Sequence, residues 1–255
     1  MDIHVRVVEL LKKEKTFCLA TVLTSNISDV RPGQKAIVYD KGDIVGSLGS
    51  TQLDSDLAGL AQKAFKENKS QVAEIEAGVK FFLNILSPDA QLIVCGAGHI
   101  AIPLARFAQP LKFRVVVIDD RPDFASPSRF PNCKIIAEDF TAALRDYHFS
   151  PNTYVVVITR GHEHDADCLI EILKKKTVYV GLIGSRRRVR FVLEMLAEKG
   201  YSRARIKDVF TPIGLPIGAE SPEEIALSIV SELVCVRRKG SVQARALRNA
   251  VGIDL

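Results

Sequence analysis

The sequence predicts an α/β protein: an open, doubly wound parallel sheet over roughly the last two thirds of the chain, preceded by a smaller α+β domain. Three observations carry this. From about residue 90, short and almost wholly apolar runs recur at Leu92–Cys95, Phe113–Ile118, Lys134–Ala137, Tyr154–Ile158 and Val178–Ile183. Such runs suit parallel strands covered on both faces. Each is followed by a helical or turn-rich segment, the alternation that right-handed crossovers require. The first run ends on Gly96-Ala97-Gly98-His99-Ile100-Ala101, a small-residue turn that opens a helix, and the expected strand order is 3-2-1-4-5.

In chain order, the first domain reads as a helix from Ile3 to Glu14, a strand from Phe17 to Thr24, and short strands at Lys35–Tyr39 and Ile44–Gly46. A helix follows from about Leu53, with Thr51 as N-cap and Asp54 three residues on. The turn at Ser87-Pro88-Asp89 marks the boundary, giving domains 1–87 and 88–255. The last helix opens at Ser221-Pro222-Glu223-Glu224 and runs amphipathically to Arg238.

Composition excludes several function classes. The chain of 255 residues is 47% hydrophobic and 25% charged, the balance of a globular protein with an ordinary core. Its net charge of +5 is spread along the chain apart from two basic clusters late in the sequence, which does not point to nucleic acid. Five scattered cysteines form no C-x-x-C pair, so neither a disulfide framework nor a zinc knuckle is indicated and a reducing cytoplasm is expected. The charged amphipathic start MDIHVRVVELLKKEK lacks a secretory apolar core, and no apolar run approaches the ~20 residues of a membrane span.

Chemistry concentrates at the ends of the apolar runs. In the Rossmann-like fingerprint G-x-G-x-x-A, Gly96 and Gly98 let backbone approach a phosphate, with His99 beside them. Asp119, with Asp120 and Arg121 after it, stands about twenty residues on, where an acid receives ribose hydroxyls. Past the fourth run, Thr159-Arg160-Gly161-His162-Glu163-His164-Asp165 faces the glycine turn across the switch point, so that His99 and His162 converge; Asp165 is placed as a helix N-cap. The H-x-H spacing also admits a metal, but no third ligand stands nearby. Gly184-Ser185-Arg186-Arg187-Arg188 follows the fifth run, with Ser185 as N-cap. Three positive charges there oppose the helix dipole by ~0.3–1 kcal/mol each, a conflict that a bound anion removes. The glycine- and proline-rich segment 210–220 is either a lid or a connector.

The stretches LIVCGAGHIA, VVVIDDRPDFASPSRFP, YVVVITRGHEHD, YVGLIGSRRRVRFVLEML and PIGLPIGAESPEEIALSIVSELVCVRR, in this order and spacing, resemble the XdhC/CoxI family of xanthine dehydrogenase accessory proteins. The resemblance implies an N-terminal XdhC/CoxI module joined to a C-terminal Rossmann module. It also implies binding of the molybdenum cofactor, molybdopterin, as cargo, its protection during sulfuration, and delivery to an apo molybdenum hydroxylase, with a cysteine desulfurase as a second partner and a homodimer left open. Many relatives look like G-G-G-C after G-S-[IL]; here Gly46-Ser47-Leu48-Gly49-Ser50-Thr51-Gln52 puts glutamine at the cysteine position, and glutamine provides no thiolate. Two other functions use the same turn: an NAD(P)-dependent oxidoreductase with His162 or His164 as acid, and a dinucleotide-sensing regulator.

Overall fold

The computed structural model describes residues 2–67 and 69–249, so the last six residues of the expected second domain lie outside the described part. Two compact units divide the chain, Met1–Pro88 and Asp89–Leu255.

In the first unit, α1 (Ile3–Lys12) is followed by β1 (Phe17–Ser25), β2 (Lys35–Val38), β3 (Ile44–Val45), α2 (Thr51–Glu67), β4 (Gln71–Ile75) and β5 (Val79–Leu86). The strands form an antiparallel sheet ordered β3-β2-β1-β5-β4. Period-2 alternation sends Cys18, Ala20 and Val22 to the face covered by Leu53, Leu57 and Ala61 of α2. Phe17 and Leu19 go to the opposite face with Leu10 of α1. The sequence reading omits the β4–β5 hairpin, although QVAEI-EAG-VKFFLNIL alternates on both sides of a glycine turn and Gly78 has φ +74°. Ser50, not Thr51, caps α2, its hydroxyl accepting the Leu53 N–H at 3.2 Å. Asp54 instead turns back to accept Leu48 N–H and the Ser47 hydroxyl, both at 2.8 Å.

The second unit contains β6 (Ala90–Cys95), α3 (Ala101–Ala108), β7 (Phe113–Ile118), β8 (Lys134–Ile136), α4 (Phe140–Asp146), β9 (Thr153–Val157), α5 (His162–Leu173), β10 (Tyr179–Leu182), α6 (Arg186–Glu198), α7 (Arg203–Lys207), β11 (Val209–Phe210) and α8 (Pro222–Asn249). All six strands are parallel, ordered β11-β10-β9-β6-β7-β8. The expected 3-2-1-4-5 order therefore holds, with β11 added at the edge. Alternate residues of each strand feed two cores. Leu92 and Val94 pack toward α3 and α8, and Ile93 and Cys95 toward α4, α5 and α6. This two-faced burial is why the strands read as unbroken apolar runs.

Segment 210–220 joins β11 to α8. Gly214 donates its N–H to buried Glu232 at 3.0 Å, and Leu215 N–H donates to Ser228 O at 3.2 Å, which ties the segment to α8. That helix opens with the expected box: Ser221 Oγ accepts Glu224 N–H at 3.2 Å, and the Glu224 carboxylate accepts Ser221 N–H at 3.0 Å. It breaks at Gly240, whose φ is 82°. No described helix is long and apolar enough to cross a membrane.

Candidate functional site

The carboxyl ends of β6, β7, β9 and β10 bring the candidate residues to one edge of the second unit. At its centre, β6 lies between β7 and β9, the point where the strand order reverses and a crevice opens. The two central loops touch there. A side chain on Gly96 would place its Cβ 2.5 Å from Ile158 O and 3.0 Å from Thr159 Cα, and Gly96 has φ +109°. Only glycine fits this position. Gly98 is different: its φ is not positive and a Cβ there would meet nothing within 4 Å. Its missing side chain leaves open space at the mouth of the turn, and His99 beside it is exposed.

The sequence assigns Asp119 to ribose hydroxyls; the structure turns its carboxylate inward. Asp119 is 1% exposed. One oxygen accepts Arg121 N–H at 3.1 Å and Arg121 Nε at 2.8 Å; the other accepts Ala97 N–H at 2.7 Å and Arg121 Nη2 at 2.9 Å. Burial pushes this carboxyl up, but hydrogen bonds from Arg121 and Ala97 outweigh it and hold the group below its ordinary range. The Arg121 guanidinium also lies 3.7 Å from the Phe124 ring centroid. Asp120, more open, is held in a bidentate pair by Arg160, with Nη2 at 2.7 Å from Oδ2. Hydrogen bonding from Arg160 depresses Asp120 to about 2.

Beyond β9, Asp165 is not the cap of α5. Gly161 holds that position without a side-chain bond, and Asp165 is fully buried in the first turn. It accepts the Thr159 hydroxyl at 2.6 Å and Arg188 Nε at 2.6 Å, while Arg188 Nη2 donates to Thr159 O at 3.0 Å. Burial nevertheless leaves Asp165 above the ordinary carboxylate range. Arg188 therefore joins the β9 loop to α6 and is not part of a free basic cluster. The two histidines of H-x-H also part company. His162 meets Phe191 edge-on at 4.9 Å between ring centroids, and His164 packs against Phe140 at 5.4 Å. Among the described residues, no three His, Cys, Asp or Glu side chains gather as a metal-binding group.

At β10, Ser185 caps α6 as expected, its hydroxyl accepting Arg188 N–H at 3.3 Å. Arg186 and Arg187 in the first turn are exposed. Beside them a cavity of about 580 Å³ is lined by His162, Ser185, Arg187, Arg188, Arg190, Phe191 and one carboxylate, Glu194. The structure thus brings His162, Ser185 and Arg187 around one space and adds Arg190 and Phe191, which the sequence reading omits. Helical spacing from Arg187 would find both, since i+3 and i+4 share its face.

Two family models match this architecture, the XdhC Rossmann domain over residues 92–233 and the XdhC and CoxI family over residues 10–76. The chain belongs to the XdhC/CoxI family. This family chain is 26% identical over 253 residues to the Escherichia coli K12 protein YqeB, described as uncharacterized, covering 93% of this chain and 46% of that one. It is 33% identical over 162 residues to a Bacillus subtilis protein described as a probable xanthine dehydrogenase subunit, covering 63% of this chain and 47% of that one. It therefore spans just under half the length of these curated relatives. A Bacillus halodurans crystal structure described as a xanthine dehydrogenase shares the fold, with a TM-score of 0.56 at 22% identity over 93% of this chain and 97% of that one.

In the first unit, Gln52 is exposed on the first turn of α2 and donates to Asp56 at 2.9 Å. It makes an ordinary i, i+4 helix-surface bond at the position where the family resemblance places a cysteine.

Proposed function

We propose that this XdhC/CoxI chain is an accessory protein that binds the molybdenum cofactor as cargo and hands it to an apo molybdenum hydroxylase of the xanthine dehydrogenase type. The observation that carries the reading is the cavity of about 580 Å³ at the starts of α5 and α6, with Ser185, Arg187 and Arg190 around it. A helix N-terminus presents free N–H groups and positive potential, and guanidiniums add charge-assisted donors, the combination that suits a phosphate. The pterin phosphate would lie against Ser185, Arg187 and Arg190, with Arg186 adding positive charge at the same helix start, and the ring system would extend toward His162 and the open space at Gly98. His99, Thr159, Gly161 and Gly184 shape the crevice between. No covalent chemistry falls to the protein in this scheme; its residues bind, orient and shield. A cysteine desulfurase would act on the bound cargo, and the cytoplasm is where such partners would meet it.

Purification from cells that make the molybdenum cofactor, followed by metal and pterin analysis, tests this. Molybdenum and pterin should co-elute with the wild-type chain and be lost from Gly98→Val, which keeps its fold because the position is open. NAD(P) bound in their place would support the second reading, a dinucleotide-dependent oxidoreductase or sensor, which the strand order and the Gly96 turn favour.

A further inference from the structure

We propose that Arg121 is a built-in occupant of the ribose subsite, so that this Rossmann unit refuses nucleotides that enter diol-first, NAD among them, and reserves its edge for a phosphate-bearing ligand on the β9–β10 side. The inference rests on the reading of this edge as a ligand site and deepens it by naming the class of ligand it excludes.

A carboxylate has about four lone-pair sites, two on each oxygen. Asp119 has all four filled, by Ala97 N–H, Arg121 N–H, Arg121 Nε and Arg121 Nη2. The two main-chain donors fix the glycine turn and the loop after β7, and they leave one place free on each oxygen. A vicinal diol would fill those two places with two hydroxyl donors. Here the Arg121 fork fills them instead, one nitrogen to each oxygen, at 2.8 and 2.9 Å.

The exchange favours the arginine. Its bonds join two charges and are about twice as strong as those from neutral hydroxyls. Arg121 is two residues from Asp119, so the fork closes with little loop entropy, and the Phe124 ring supports its face at 3.7 Å. Asp120 is a weaker diol acceptor, because its oxygens already take the Arg160 fork and the pair is open to solvent, with Arg160 40% and Asp120 29% exposed. Four groups at the end of β7 and β9, Asp119, Asp120, Arg121 and Arg160, thus neutralise one another. The cavity at Ser185, Arg187 and Arg190 opens instead between the start of α5 and one face of α6.

The test is calorimetric titration of the full chain with NAD⁺ and with NADP⁺. Wild type, Arg121→Met, Arg121→Lys and the double variant Arg121→Met/Asp119→Asn are compared, each first checked for a cooperative melt. Arg121→Met keeps the apolar stem on Phe124 and removes the fork. It should bind NAD⁺ at least roughly tenfold tighter than wild type, the ratio expected for freeing two acceptors of a buried carboxylate. The double variant should lose the gain. Arg121→Lys, with an ammonium that cannot span both oxygens, should gain partially and supplies the comparison if the methionine variant does not fold. Two results overturn the proposal. One is equal NAD⁺ affinity in wild type and the folded Arg121 variants; the other is NADP⁺ binding by wild type that the variants lose, which would make the arginine a 2′-phosphate clamp. Pterin content of the same preparations keeps the two ideas apart: its absence from wild type counts against the cargo reading alone, and failure of the Arg121 variants to gain NAD⁺ counts against the plug alone.

Discussion

The two arginine-bearing regions at the carboxyl edge of the parallel sheet behave in opposite ways. At the end of β7 and β9, Arg121 and Arg160 each face a carboxylate, and the group is neutral as a whole. At the start of α6, Arg186 and Arg187 have no ion-pair partner among the described residues, and only Arg188, one position further on, reaches a buried acid. Adjacent arginines thus differ in role because a helix turns each side chain by about 100° from the last. What separates an arginine held within the protein from one left open to solvent is whether a carboxylate lies within bonding reach.

The largest expected effect breaks the comparison within α6. Arg188→Gln leaves the fully buried Asp165 without its cation and should cost about 3 kcal/mol in urea unfolding. Arg187→Gln should not destabilise and should gain ~0.3–1 kcal/mol by removing a charge that opposes the α6 dipole. The sign of the pH dependence follows from Asp165, whose carboxyl is already raised by burial. A raised acid stabilises the fold least when ionised, so the deficit of Arg188→Gln should shrink as pH falls toward the ordinary carboxylate value of 3.8. Arg188→Gln/Asp165→Asn should recover most of the loss. Equal stabilities for the two single variants would mean that Arg188 is as free as its neighbour.

A smaller effect sharpens the unpaired side. Arg186→Gln/Arg187→Gln removes two charges that oppose the α6 dipole, so the ligand-free protein should gain ~0.3–1 kcal/mol per residue. With inorganic phosphate as probe, the rise in melting temperature should be smaller than in wild type and less sensitive to salt. An unchanged phosphate-induced shift would make this an ordinary solvated face and would move the anion site elsewhere along the edge.

Much of this was legible in the sequence because it is local or periodic. The five apolar runs, the Gly96 turn, the Ser185 cap and the Ser221–Glu224 box each depend on neighbours within a few positions. Side-chain pairing is less legible, because it depends on where a side chain turns, whether its partner is on another helix or two residues away. Asp165 looks like a cap because its partner Arg188 lies on another helix, and Asp119 looks like a ligand acid because nothing in its spacing reveals that the Arg121 fork turns back onto it. The strand β11 has two residues, too short for any periodicity to register. The β4–β5 hairpin was legible in its alternation around Gly78 and needed only that the chain be read as strand beyond Glu67.

The smallest effect concerns the neutralised side and separates the two regions by acid sensitivity. Hydrogen bonding from Arg160 lowers Asp120 from 3.8 to about 2, so its ionised form stabilises the folded state. That contribution is fully present above the ordinary value and is lost as pH falls through about 2. Both partners are partly open to solvent, with Arg160 40% and Asp120 29% exposed, so the pair should contribute less than about 1 kcal/mol at neutral pH. Asp120→Asn should therefore lie slightly below wild type near neutrality and converge with it as pH falls from 3.8 to about 2. The measurement is the urea midpoint of both proteins across that range. Arg186→Gln/Arg187→Gln should show no such convergence, because an arginine without a carboxylate partner has no group that titrates there. Parallel curves for Asp120→Asn and wild type would show that Arg160 is held in place by something other than Asp120, and the contrast between the two sides would then rest on Arg121 alone.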